Sequence, residues 1–128
     1  MMHTDQRDAA RVYRERAIEG ASPARILRML LEGALRLIDK AAAVDVRDPR
    51  SSFVSDLDRA DEIVTELALA IDVEKQPELS QSTLALYEFA GARLRTAMAT
   101  RDAEPALEAR AVLARLHDAW RRIDEGQA

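Results

Sequence analysis

Four stretches of the chain carry apolar residues at three- and four-residue spacing, and breakers separate them. Gly20-Ala21-Ser22-Pro23 precedes the first stretch. Asp45 to Ser52, with Asp48-Pro49 inside it, ends that stretch; Asp72 to Pro77 ends the second and Thr100 to Pro105 the third. Ser22 is expected as an N-cap with Pro23 at the first helical position. The hydroxyl accepts an orphan backbone N–H, and proline has none to lose there. Through to Val44, polar residues keep almost wholly to Arg25, Arg28, Glu32, Arg36, Asp39 and Lys40, which form one narrow stripe. A bundle helix needs an apolar stripe only about 100° wide. The first helix has more, which marks it as central or as touching a partner.

The second stretch runs from Phe53 to Ile71. Phe53, Leu57, Ala60, Val64, Leu67 and Ile71 share one face, while Ile63 and Leu69 fall off it. Its outer positions are mostly acidic: Asp56, Asp58, Asp61, Glu62 and Glu66. The third stretch is predicted from Leu79 to Ala99, with Ser80 as N-cap. Leu84, Tyr87, Gly91, Leu94 and Met98 form one line, and Leu79, Thr83, Leu86 and Ala90 a second. The fourth begins near Asp102, with Pro105 tolerated in the first turn. Ala109, Leu113, Leu116, Trp120 and Ile123 make its stripe, widened by Val112 and Ala119. Four helices of similar length with short links predict an all-α fold, an antiparallel up-down four-helix bundle with a short N-terminal arm. The arm is expected over residues 1–20, the bundle over 21–124 and a tail over 125–128. The arm is polar apart from Val12, Tyr13, Ala17 and Ile18.

Composition narrows the classes. A chain of 128 residues argues for one domain, and burying roughly two-thirds of its unfolded surface gives it a core without metal or disulfide staples. Apolar residues make up 48% but aromatics only 4%, and four Gly and four Pro supply too few turns for a sandwich or barrel. The absence of Cys excludes disulfides, thiolate catalysis and Cys-based metal sites. Lys and Arg number 19 against 23 Asp and Glu, a net charge of −4 with the signs interspersed, so no nucleic-acid partner is expected. No apolar run approaches the roughly 18 residues of a membrane span. The start, MMHTDQRDAARVYRER, has no apolar h-region, so membrane insertion and secretion are not expected and the cytoplasm is.

Chemistry is sparse. His3 and His117 are the only histidines, and neither sits in a helical metal motif. There is no Gly-rich phosphate loop and no supportable Ser/His/Asp pattern. No metal, no cofactor and no enzymatic activity are expected. Two other classes stay open. His117, in LARLHDAW, could be the phosphorylated histidine of a phosphotransfer bundle, although no Lys-Gly follows it. Arg93 and Arg95, with Arg25, Arg28 and Arg36, could line an anion pocket in a small all-helical enzyme. Solvated faces with acidic partners are the plainer account of these arginines. The residues alone therefore stop at an acidic bundle with more apolar face than its core needs.

Longer strings carry a resemblance. YRERAIEGASPARILRMLLEGALRLIDKA resembles the start of the FliS family of flagellin export chaperones, with Tyr13 in a short arm, then Ala21-Ser22-Pro23, then Leu30-Leu31-Glu32-Gly33. ADEIVTELALAID resembles the family's second helix. ELSQSTLALYEFAGARL resembles the third, through Leu86-Tyr87-Glu88-Phe89. LARLHDAWRRI resembles the fourth, through Leu116, Ala119 and Trp120. The likeness covers roughly residues 12 to 124, in order. The chain departs from the pattern at Leu31, where the family has an aromatic, and at Gln76-Pro77-Glu78, where Gly-Gly-Glu is common.

The resemblance implies a chaperone. Such a bundle would bind the disordered, amphipathic C-terminal region of flagellin, prevent premature polymerisation, and present the complex to a component of the flagellar type III export gate. Weak homodimerisation is a further expectation. Helices laid into apolar grooves would supply the contact, and ordering a disordered segment needs a large apolar surface. Candidate groove residues, chosen where apolar positions exceed one stripe, are Leu31, Leu35, Leu86, Tyr87 and Leu94. Tyr13 and Ile18 in the arm are the expected cover of an empty groove.

Overall fold

The computed structural model describes residues 22–126. Four helices follow one another: α1 (Pro23–Ala42), α2 (Phe53–Leu69), α3 (Pro77–Thr100) and α4 (Ala103–Asp124). α1 packs on α2 and α4, and α3 packs on the same two, so the chain runs up and down around a ring. Among the described residues there is no strand.

The helix starts are written locally. Ser22 is extended, and its Oγ accepts the Arg25 N–H at 3.1 Å, with Pro23 in the first turn. Asp102 does the same for α4 by accepting from the Glu104 N–H at 3.0 Å. The α3 start differs from expectation. The helix begins at Pro77, a turn's width earlier than Ser80 as a cap requires, and follows Gln76 in the left-handed region at φ 47°. Pro77 is preset for the first helical position. Ser80 instead donates back to the carbonyls of Lys75, at 2.6 Å, and Asp72, at 3.2 Å, and so closes the α2–α3 turn. At the far end of α3, Arg101 is left-handed at φ 50° and its guanidinium donates to the Val46 carbonyl at 2.9 Å. That bond ties the α3–α4 turn to the α1–α2 loop.

The core is aliphatic and close-packed through small residues. Leu31, Ile38, Phe53, Leu57, Leu67, Tyr87, Leu94 and Leu113 are enclosed, and Ala34, Ala60, Ala90, Ala97 and Ala109 lie fully buried between them. Alanine at these positions lets the helices approach, which is how a chain so poor in aromatics fills its interior. The predicted α2 stripe is buried from Phe53 to Leu67. Ile63, expected off that stripe, is buried as well, near Gly33 of α1. The apolar surplus of α1 is also smaller than its sequence suggests. Leu27, Leu35 and Leu37 lean half-buried on the core, and Met29 is its one exposed large apolar side chain.

Ion pairs stitch neighbouring helices. Asp124, its side chain 4% exposed, takes Arg28 Nη1 at 3.0 Å, the Ser22 hydroxyl at 3.2 Å and Arg25 Nε at 3.6 Å, clasping the end of α4 to the start of α1. Arg110 forks onto Asp39, and its hydrogen bonds hold that carboxyl below its ordinary range. Arg95 bonds Asp61 at 3.0 Å across α2 and α3. Gly91 makes room for that pair: a Cβ there would lie 3.1 Å from both Asp61 Oδ1 and Arg95 Nη1. Burial nevertheless raises the Asp61 pKa, outweighing the pull of Arg95.

Two outcomes follow. Ser22→Ala removes a cap and a link of the clasp together, and should lower unfolding free energy in urea by about 1–2 kcal/mol. For Asp61, folding favours the protonated form, so ionisation lowers stability as pH rises from the unfolded carboxylate range through the raised folded value. Asp61→Asn removes that loss and leaves Arg95 largely in solvent. Its stability relative to wild type should therefore be greater at about pH 7 than at about pH 4 in parallel urea titrations.

Candidate functional site

Unequal helix lengths create the site. α2 has 17 residues and α3 has 24, roughly 25 Å against 36 Å at 1.5 Å per residue. The two are joined at the end where α2 stops and α3 starts, so the first turns of α3 run past their neighbour. The start of α1 and the end of α4 meet them there. Between the four lies a cavity of about 330 Å³, floored by Leu27, Leu67, Ile71, Thr83, Tyr87 and Trp120, with Ala70 and Leu79 at its mouth. Asp72, Lys75, Gln76 and Ser80 of the α2–α3 turn supply its polar edge. Its size falls at the lower end of ligand-binding pockets, about 300–1,000 Å³.

Exposed apolar side chains continue from the cavity. Leu79, 63% exposed, lines the cavity, while Leu69, 76% exposed at the end of α2, and Val73 in the turn after it are exposed without lining it. Leu86 and Phe89, one helical turn apart, are exposed further along α3. α3 is accordingly the helix with the most apolar surface in water, where the sequence pointed to α1.

The candidate residues separate on this geometry. Leu86 is exposed and adjoins the cavity through its own helix. Tyr87 is 2% exposed, and its face forms part of the cavity floor. Leu35 is half-buried against the core. Leu31 and Leu94 are enclosed on all sides, because the second apolar row at each of these points is the row that faces the neighbouring helix. Tyr13 and Ile18 lie outside the described residues. Leu69, Leu79, Phe89 and Trp120 were not singled out from sequence. The available signal was position: Leu69 and Leu79 flank the breaker at Asp72–Pro77, and apolar residues at helix ends beside a turn have no layer to cover them.

Burial pushes the Tyr87 hydroxyl up to about 12, with the indole N–H of Trp120 beside it pulling partly back. Tyr87 is therefore neutral across the physiological range. The arginines do not converge. Arg93 pairs with Glu108, Arg95 with Asp61, and Arg25 and Arg28 with Asp124, on different helix interfaces. His117 lies 3.5 Å from Glu32 between α4 and α1, only partly accessible. Among the described residues no three His, Cys, Asp or Glu side chains gather as metal ligands would. None of the described helices is long and apolar enough to cross a membrane.

Comparison with known proteins agrees with this architecture. The family model described as "Flagellar protein FliS" matches residues 6–127. The flagellar secretion chaperone FliS of Escherichia coli (strain K12) is 27% identical over 113 residues, which cover 88% of this chain and 83% of that protein. With nearly the whole chain inside the family match, and with the bundle, its turns and its uncovered apolar end in place, the chain belongs to the FliS family of flagellar secretion chaperones.

Proposed function

We propose that this chain holds the C-terminal segment of flagellin in the cytoplasm, keeps it from polymerising, and hands the complex to the flagellar type III export gate. The observation that carries the proposal is the apolar cavity, with Leu79 exposed on its lining and Leu86 and Phe89 exposed further along α3. Exposed apolar area of this extent on a folded domain marks a surface that is covered by a partner. A flagellin segment that is amphipathic but unfolded alone would gain its helical order by burying its apolar face here. Leu86 and Tyr87 are the residues we assign to contact. Leu35 sits at the margin, and Leu31 and Leu94 support the surface from inside.

The chain's first 21 residues join at Ser22, at the same end of the bundle as the cavity. Tyr13 and Ile18 are proposed to cover the cavity when it is empty and to yield to flagellin. Weak self-association of the chaperone would draw on the same surface, so it would compete with flagellin.

Leu86→Asp with Phe89→Asp touches no enclosed core residue and should leave the melting temperature within a few degrees. Binding to full-length flagellin, followed by calorimetry and size exclusion, should weaken at least tenfold. Wild-type protein that fails to shift full-length flagellin, or that shifts flagellin lacking its C-terminal region equally well, would sink the proposal. Tyr13→Ala should tighten flagellin binding by removing a competitor, and equal affinity in the same titration would remove the arm's role.

A further inference from the structure

A tyrosine at the floor of an apolar cavity raises a question that a phenylalanine would not. Tyr87 is enclosed except where it meets the cavity. The indole N–H of Trp120 lies beside its hydroxyl, and it can only donate. The hydroxyl oxygen thus faces a donor, and its own proton is left to give. Among the described residues no oxygen accepts that proton. Buried tyrosines ordinarily find such a partner. Water can serve while the cavity is open, but an apolar side chain entering it expels that water.

The edge of the cavity carries both signs, Lys75 and Asp72. Lys75 has no ion-pair partner among the described residues. The Ser80 hydroxyl already donates to the turn carbonyls, and one oxygen of Asp72 accepts the Glu74 N–H. Tyr87 on the floor and Lys75 on the edge are thus donors with no acceptor among the described residues.

We infer that Tyr87 is a specificity-determining residue: the cavity takes an apolar anchor at the C-terminal end of a partner helix, and the Tyr87 hydroxyl donates to one of that helix's terminal carbonyls. The last carbonyls of a helix lack partners within it and carry the negative end of its dipole. They are the acceptors an incoming amphipathic helix must otherwise leave unpaired. Lys75 then stands where that negative end would lie. The inference rests on the flagellin reading above for the identity of the helix.

Trp120 is the chain's one tryptophan and lies in the cavity, so its emission reports occupancy in the full-length protein. The probe is a tryptophan-free C-terminal fragment of flagellin. Wild type should bind it with a blue shift of Trp120 emission. Tyr87→Phe should melt like wild type and reach the same limiting shift, with affinity roughly three- to tenfold weaker. Equal or tighter binding by Tyr87→Phe overturns the inference, tighter binding meaning that the hydroxyl serves the chain's own first 21 residues. A complex on size exclusion with no change in Trp120 emission overturns it too, because the cavity is then empty. Should phenylalanine disturb the melt, Lys75→Gln on the exposed turn decides: at least twofold weaker binding at low salt supports the inference, and unchanged binding overturns it. Absence of any wild-type complex is a separate result, which removes the flagellin reading before Tyr87 is tested.

Discussion

A helix of this length holds its shape in water because another helix covers its apolar stripe, and in this bundle that cover is uneven. α2 is seven residues shorter than α3, so where α2 stops the apolar row of α3 continues without a neighbour. The cavity and its exposed mouth follow from this mismatch. The far end of the bundle is tied differently. There Arg101 reaches the Val46 carbonyl and draws the α3–α4 turn onto the α1–α2 loop, and Phe53 fills the space beneath.

The open end is held by polar contacts where apolar ones are lacking. Asp124 gathers Ser22, Arg25 and Arg28, and Ser80 closes the α2–α3 turn from inside the first turn of α3. These contacts fix the helix ends around the cavity without filling it. Across the middle of the bundle, Gly91 leaves space for Asp61 and Arg95. The pair adds little net stability, since burial disfavours the Asp61 charge that Arg95 attracts. It joins α2 to α3 midway along their length.

Most of the architecture was legible because local rules and burial agree. Ser22-Pro23, Asp102 and the period of Phe53, Leu57, Ala60, Val64 and Leu67 each specify their element without reference to the rest of the chain. Ser80 was misread because a serine three residues into a helix and a serine capping it look alike in one dimension; Pro77 decided between them. The surface was harder. Leu31 and Leu94 looked like excess because a helix in a four-membered ring faces two neighbours, and two apolar rows are then core. Leu69 falls off the stripe of α2 in the sequence, but the exposure of Leu79 depends on where the adjacent helix stops, which periodicity along one helix does not encode. Tyr87 belongs to the core row of α3 and also lines the cavity, which periodicity alone does not separate.

An uncovered end has a cost that the rest of the chain restrains. Apolar side chains in water promote association between copies, and a net charge of −4 with charges on a third of the residues opposes it. The exposed run is also narrow, one or two side chains wide along α3, with Glu88 and Arg93 close by in the same helix. A narrow strip suits an occupant that is itself a helix with a narrow apolar face, and it offers little to a broad folded surface. Such an occupant must be ordered as it binds, which consumes part of the interaction energy. Such a loss weakens a complex of this kind even when the strip is well matched. A partner held for delivery must be released at the destination, so a ledge of aliphatic side chains ending in one small cavity fits the task better than a deep enclosed groove.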